Sequence, residues 1–343
     1  MPHQAAAAPA RKPLMPLDEA VALIRASATP LPERLVPLDE ALHHVLSRDV
    51  ISMVDVPGFD NSAMDGYALD AAVLAAPGAS GGWPVSQRVP AGTQPEPLQA
   101  GTVARIFTGA PVPGGATAVV PQEQADLSVP GRVRFLAEVK PGQHVRRQGE
   151  DMVRGQSVLP AGARLGAAHL GLAASAGADK VWVRARPKVA LVSTGDELAL
   201  PGQPLPPGGI YNANRFTLAA LLRAWGLEVV DLGRVPDQLS ASCEALRAAA
   251  AQADVVLSSG GVSVGEEDHW RAALNQLGTV QAWALAIKPG KPLLHGVVTA
   301  EGGRPVHVMG LPGNPVAAWV TALVALDPLL AALEGGEIGR AHV

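Results

Sequence analysis

Residues 253–268, ADVVLSSGGVSVGEED, set serines and glycines directly behind an apolar β-branched run and place three acids at the end of the stretch. That order suits anion chemistry. Glycines let a backbone approach phosphate oxygens, the hydroxyls of Ser258, Ser259 and Ser263 can donate, and a following helix N-terminus adds its positive end. Taken alone, an ordinary strand-to-helix turn explains the stretch equally well. Four other loops of the C-terminal half also carry chemistry: STGDE at 193–197, VPD at 235–237, KPGKP at 288–292 and GLPGNP at 310–315. In an open α/β sheet, loops at the C-terminal ends of strands share one rim, which is where ligands bind. Glycines, two lysines and several carboxylates on one rim suit a phosphorylated or nucleotide-like substrate together with Mg²⁺. The sequence contains no Walker A and no GxGxxG pattern, which disfavours standard ATPase and dinucleotide folds.

The elements that must position these loops follow from periodicity. Apolar runs predict strands at 189–193, 228–232, 255–258, 282–287, 292–298 and 306–309, and helical spacing predicts helices at 215–224, 240–252, 267–277 and 316–333. Strand and helix alternate as in a doubly wound α/β domain. Earlier in the chain, PLDE at 16–19 and again at 37–40 precedes helically spaced apolar residues, so helices are expected over 16–27 and 37–46. From about 50 to 148 short β-type runs are cut by Pro and Gly, which reads as a β-rich domain. Inside it lie two polar islands, 60–68 with two aspartates and 107–113 with Thr108. Residues 145–151 then set Arg146 and Arg147 beside Glu150 and Asp151, a charge run that a solvated surface would equally explain.

Composition narrows the class. With 343 residues, several domains are expected, and with 48% hydrophobic but only 3% aromatic residues the cores must be built from Ala, Val and Leu. A net charge of −4 argues against nucleic acid or an anionic membrane as the partner. The single cysteine, Cys243, excludes an intrachain disulfide framework and suits a reducing compartment. The start of the chain lacks a long apolar segment and reads as a disordered tail over 1–13, and 316–333, interrupted by Asp327 and Pro328, reads as no membrane span. A cytoplasmic protein is expected.

Seven motifs in order, NSAMDGYA (61–68), TGAPVP (108–113), RRQGED (146–151), STGDEL (193–198), SSGGVSVGEED (258–268), KPGKP (288–292) and GLPGNPV (310–316), together resemble the MoeA family of molybdopterin molybdenumtransferases, which includes the gephyrin E domain. The resemblance is collinear from about 16 to 333. It implies a multidomain α/β fold: a doubly wound α/β domain similar to molybdopterin adenylyltransferases (MogA-like) over 185–335, an inserted β-rich domain over 51–149, and a small linker-like domain made of two chain segments, 14–50 and 150–184. The implied activity is Mg²⁺-dependent insertion of molybdate into adenylylated molybdopterin with release of AMP, the final step of molybdenum cofactor biosynthesis. Carried over by position, Ser259, Gly260, Gly261 and Ser263 would hold the pterin phosphate and Asp268 would meet the pterin side. Asp65, Glu197 and Asp237 would ligate Mg²⁺ or place the attacking water. Lys288 and Lys291 would bind molybdate or stabilise phosphate charge. Thr108, Arg147, Asp151, Pro312 and Asn314 complete the implied substrate site. A homodimer and contact with the molybdopterin adenylyltransferase are implied as well.

The sequence departs from the family pattern in places. Ala317 stands where a hydroxyl residue commonly follows GNPV, and Asn212 replaces a carboxylate in the segment 211–215. The resemblance also implies a small β-rich C-terminal domain beyond the last α/β helix, which this sequence does not include. Two alternatives follow: a non-catalytic molybdopterin-binding or scaffolding paralogue, and a molybdopterin adenylyltransferase.

Overall fold

The computed structural model describes residues 14–72, 81–136, 138–262 and 269–336, and the chain divides into two compact units. One comprises residues up to 48, 161–166 and 181 onward; the other comprises 49–160 and 167–180. Segments 14–50 and 150–184 contribute to both. Val45 bridges Arg164 and Leu46 bridges Val183 in the first unit, while Val50–Ile51 pairs with Ser157–Leu159 in the second.

The first unit is built on a six-stranded sheet. Its strands are β1 (Val189–Thr194), β2 (Val229–Val235), β3 (Val255–Ser259), β4 (Gly278–Ala284), β5 (Pro292–Thr299) and β6 (Pro305–Leu311), in the order β2-β1-β3-β6-β5-β4. The pairs β1/β2, β1/β3 and β3/β6 are parallel, whereas β5 runs antiparallel to both β6 and β4. The sheet is therefore mixed, and β4 runs in the same sense as β6. The β4–β5 connection consequently emerges on the same rim as the loops after β1, β2, β3 and β6. A strand expected over 282–287 lies instead at Gly278–Ala284. The preceding helix ends at Leu277 and Gly278 begins the strand, at a position where a Cβ would run into the Val297 carbonyl of the neighbouring strand.

Strand residues alternate strictly between two cores. Val189, Leu191, Val255, Leu257, Leu293, Met309 and Leu311 face helices α1 (Leu17–Ser27), α2 (Ala213–Ala224) and the helix beginning at α5 (Pro315–Thr321). Ala190, Val192, Val256, Leu294, Val306 and Val308 face α3 (Leu239–Gln252) and α4 (His269–Leu277). A sheet buried on both faces explains why its strands read as unbroken apolar runs.

The expected 316–333 helix is continuous. It passes from α5 through a π-helical turn, Ala322–Leu326, into α6 (Asp327–Leu333). Pro328 lacks the N–H that an α-helix would use, and the wider turn just before it accommodates that loss. Among the described residues this span, Pro315–Leu333, is the one helix long and apolar enough to cross a membrane. Ala318, Ala322, Leu326, Leu329 and Leu333 place it in the core. The helix expected over 37–46 is not formed. Glu33–Pro37 is a strand, Leu38–Glu40 is a single 3-10 turn, and His43 takes φ 67°, which ends any helical continuation.

The second unit carries a six-stranded mixed sheet ordered Ala118–Pro121, Gly66–Leu69, Val103–Ile106, Trp83–Val89, Arg132–Phe135 and Ala125–Asp126. Ala68, Ala104, Ile106, Val89 and Val119 fill one side, and Tyr67, Leu69, Val103 and Val133 the other.

Two buried histidines share the first core face. His295 and His307 stack with ring centroids 5.7 Å apart, and Trp283 stacks on His295 at 6.0 Å. Burial lowers both pKa values, with His307 adding repulsion at His295, which is held at about 4 against an ordinary 6.5. Their neutral forms are therefore favoured by folding, and the unfolded chain binds more protons between those values. Stability is expected to be complete above pH 6.5 and to fall as the pH drops toward 4. Urea titrations across that window should show the decline, and His295→Gln should flatten it.

Candidate active site

The rim of the first unit is defined by where apolar strands give way to hydroxyls. Ser193 and Thr194 end β1, and Ser258 and Ser259 end β3; all are buried. The hydroxyl oxygens of Ser193, Thr194 and Ser258 have no hydrogen-bond partner among the described residues. Trp270 Nε1, Asn214 Oδ1 and Thr321 Oγ1, from the helices around the same rim, are also buried and unpartnered. Leaving a buried polar group unsatisfied costs roughly 1–3 kcal/mol. Each such group calls for an explanation, such as strain, a bound water or ion, or a catalytic role.

The glycines beside them leave room that a side chain would fill. Gly260 and Gly261 have φ of 87° and 65°. A Cβ on Gly260 would stand 2.7 Å from the Thr194 carbonyl oxygen, and one on Gly261 would stand 2.9 Å from Trp270 Cβ and 3.0 Å from Thr194 Oγ1. Only glycine fits both the dihedral and the space. Ser263 and Asp268, the remaining expected contacts of this cradle, lie outside the described residues.

The other rim loops are held by polar locks. Asn314 caps α5 by accepting from the Ala317 N–H at 3.1 Å, and the Asn214 amide donates to the Gly313 carbonyl at 2.8 Å. Pro312 is buried behind that lock and Asn314 is exposed. The Ala317 methyl is buried in the first turn. Lys288 and Lys291 are exposed on the β4–β5 loop. Gly290 sits between them, and its open Cβ position lies 2.6 Å from Thr321 Oγ1. Glu197 and Asp237 are exposed on the loops after β1 and β2, with the Glu197 carboxylate folded against the bare Cα of Gly195. Asp196 accepts from the Asp237 N–H at 3.4 Å and faces Arg234 at 3.6 Å.

In the second unit the three N-terminal motifs converge. Asn61–Ser62 pairs with Val145–Arg146, and the 107–112 loop closes on the same segment through Ser62 N–H to the Ala110 carbonyl, Gly109 N–H to the Ser62 carbonyl and Val112 N–H to the Asp60 carbonyl. Asp65 Oδ1 accepts from the Thr108 N–H at 2.8 Å and the Thr108 hydroxyl at 2.7 Å. Those two donors hold its pKa below the usual carboxylate range. Arg147 and Asp151, expected to meet substrate, are paired internally: the Arg147 guanidinium with Asp60, and Asp151 with Arg146. Asp60 is the residue that ties the motifs together, since it also accepts from the Gln148 N–H at 2.9 Å. Its position within an ordinary-looking Asx turn gave no separate signal.

Mg²⁺ prefers oxygen ligands and commonly takes one or two carboxylates plus substrate phosphates and water. Asp65, Glu197 and Asp237 offer that donor chemistry, and one oxygen of Asp65 is not engaged by Thr108. Among the described residues no three His, Cys, Asp or Glu side chains form a metal cage. Of the expected set, Asp65 belongs to one unit and Glu197 and Asp237 to the other. Each of these carboxylates by itself fits Mg²⁺ as a single oxygen ligand, the rest of the shell being left to phosphate and water.

Gly261→Ala is expected to destabilise the chain by about 1–3 kcal/mol, combining a strained dihedral with displacement of Trp270. Gly202→Ala, at φ 86° with no atom within 4 Å of its Cβ position, should cost only about 1 kcal/mol. Denaturant midpoints of the two variants check the difference.

Comparison with known proteins gives the family of the chain. Residues 15–177 match the family model described as "MoeA N-terminal region (domain I and II)", and residues 190–332 match that described as "Probable molybdopterin binding domain". The chain is 42% identical over 300 residues to a molybdopterin molybdenumtransferase of Haemophilus influenzae, covering 85% of this chain and 71% of that one. It is 41% identical to molybdopterin molybdenumtransferase 2 of Mycobacterium tuberculosis, covering 83% and 71%. The crystal structure of the molybdopterin biosynthesis MoeA protein from Pyrococcus horikoshii superposes with a TM-score of 0.76 at 33% identity, covering 94% of this chain and 81% of that one. The chain belongs to the MoeA family of molybdopterin molybdenumtransferases.

Proposed function

We propose that the chain inserts molybdenum into adenylylated molybdopterin, with Mg²⁺, and releases AMP. The observation that carries this reading is the set of buried, unpartnered hydroxyls at the ends of β1 and β3, set around two glycines that leave room for a ligand. Such a surface suits the phosphate of a pterin: hydroxyls donate to its oxygens and glycines allow close approach.

The chain's own residues divide the work. Ser193, Thr194, Ser258 and Ser259 supply hydroxyls around the phosphate, with Gly260 and Gly261 giving it access. Lys288 and Lys291 bring two positive charges to the rim, suited to the molybdate oxyanion and to charge developing on the phosphates as the anhydride opens. Asp65 is held ionised by Thr108, so it acts as an anion that ligates metal or orients water, not as a proton donor. Mg²⁺, when bound, would take carboxylate ligands from among Asp65, Glu197 and Asp237 and would neutralise phosphate charge. A homodimer, contact with an adenylyltransferase and a cytoplasmic location are further parts of this proposal.

An adenylyltransferase reading uses the α/β unit alone and leaves the convergence of Asp65, Thr108 and Asp60 without a role. AMP release from adenylylated molybdopterin, measured with Mg²⁺ and with or without molybdate, tests the proposal. Release that depends on molybdate is expected, and ATP consumption with molybdopterin instead would overturn it. Asp65→Ala should lower AMP release by about 100-fold or more while the circular dichroism spectrum stays unchanged. Unaltered release would remove Asp65 from the mechanism.

A further inference from the structure

The second unit carries a row of cations and aromatics that the proposed reaction has not used. In the sheet register Tyr67 lies opposite Arg105, and Arg88 lies opposite Arg105 on the other side. These three side chains therefore share one face of adjacent strands, and Phe107 stands two residues beyond Arg105 on that face. The Arg88 guanidinium lies 4.5 Å from the Phe107 ring centroid; that of Arg105 lies 4.7 Å from Phe107 and 5.2 Å from Tyr67.

Arg105 is fixed further by donating to the Gly66 carbonyl at 2.9 Å and to Gln122 Oε1 at 2.6 Å. Neither guanidinium makes an ion pair among the described residues. This contrasts with Arg134, Arg146 and Arg147 of the same unit, each of which faces a carboxylate. Arg88 is exposed at the surface. Phe107 is followed directly by Thr108, which holds Asp65, so the row ends at that carboxylate.

Two guanidiniums laid on one aromatic ring, neither in an ion pair among the described residues although Arg105 feels the Asp65 charge, form a preorganised anion site with a flat wall. Guanidinium edges bind phosphate oxygens in a fixed geometry, and guanidinium and aromatic planes stack on a base. We propose that Arg88, Phe107 and Arg105 bind the nucleotide that the reaction releases, with the phosphate on the guanidiniums and the purine against the stacked planes. This inference rests on the proposed reaction, whose released product is a nucleotide. It assigns that product to the β-rich unit.

The test is a titration of the full chain with AMP, read by calorimetry, beside titrations with adenosine and with inorganic phosphate. AMP is expected to bind more tightly than either part, and Arg88→Gln, a surface change, is expected to weaken AMP by about tenfold, the effect of losing one charged contact. Phe107→Leu should weaken AMP and leave inorganic phosphate unchanged. AMP affinity unaltered in Arg88→Gln, or adenosine binding as tightly as AMP, would overturn the assignment. The proposed reaction fails separately. A chain that binds AMP through Arg88 but releases none from adenylylated molybdopterin would retain the subsite and lose the reaction.

Discussion

Packing on both faces of the central sheet forces its strand ends to be dry, and the hydroxyls placed there are the constraint on which the rest of the α/β unit depends. Ser193, Thr194 and Ser258 sit in line with Val189, Leu191, Val256 and their neighbours, so they are as buried as the core they terminate. Each unpaired hydroxyl opposes folding by roughly 1–3 kcal/mol. Burial of the flanking Val and Leu side chains, about 1.5–3 kcal/mol each, outweighs that cost. A sheet covered on one side only would leave these groups to water and remove their selectivity. The same packing excludes any side chain at Gly260 and Gly261, since Thr194 and Trp270 occupy the space.

The β-rich unit meets a different requirement with different means. Its site is exposed, and order comes from hydrogen bonds between loops. Thr108 fixes Asp65, and Asp60 joins the 61–68 loop to the 146–151 loop. Such exposed ion pairs contribute little to stability individually. Here they set the shape of the loops, and a single carboxylate oxygen of Asp65 is left available for chemistry.

Much of this could be read from the chain. Unbroken apolar runs such as 189–192 and 255–257 announced a sheet buried on both faces, and the glycine-serine turn after the second announced the cradle. The reading also placed Lys288 and Lys291 on the same rim as the cradle. That placement holds because β4 runs parallel to β6, although β5 between them is antiparallel. The sequence misled at 37–46, where Pro37 and the left-handed His43 override helical spacing, and at 282–287, where the strand runs instead over Gly278–Ala284. The ion pairs of Arg147 with Asp60 and of Asp151 with Arg146 were not legible, because pairing across loops has no local signature. Trp270, Asn214 and Thr321 escaped notice for the same reason. Each lies on a helix, and only the tertiary arrangement leaves its polar atom unpaired.

The account's central claim is that the unpartnered hydroxyls around Gly260 and Gly261 are completed by the pterin phosphate. Hydrogen–deuterium exchange of the full chain, with and without molybdopterin, tests it most directly. The account predicts slower exchange in peptides covering 193–197 and 257–262, with no change in the 239–252 helix. Protection confined to other segments, or none at all at saturating molybdopterin, would contradict it.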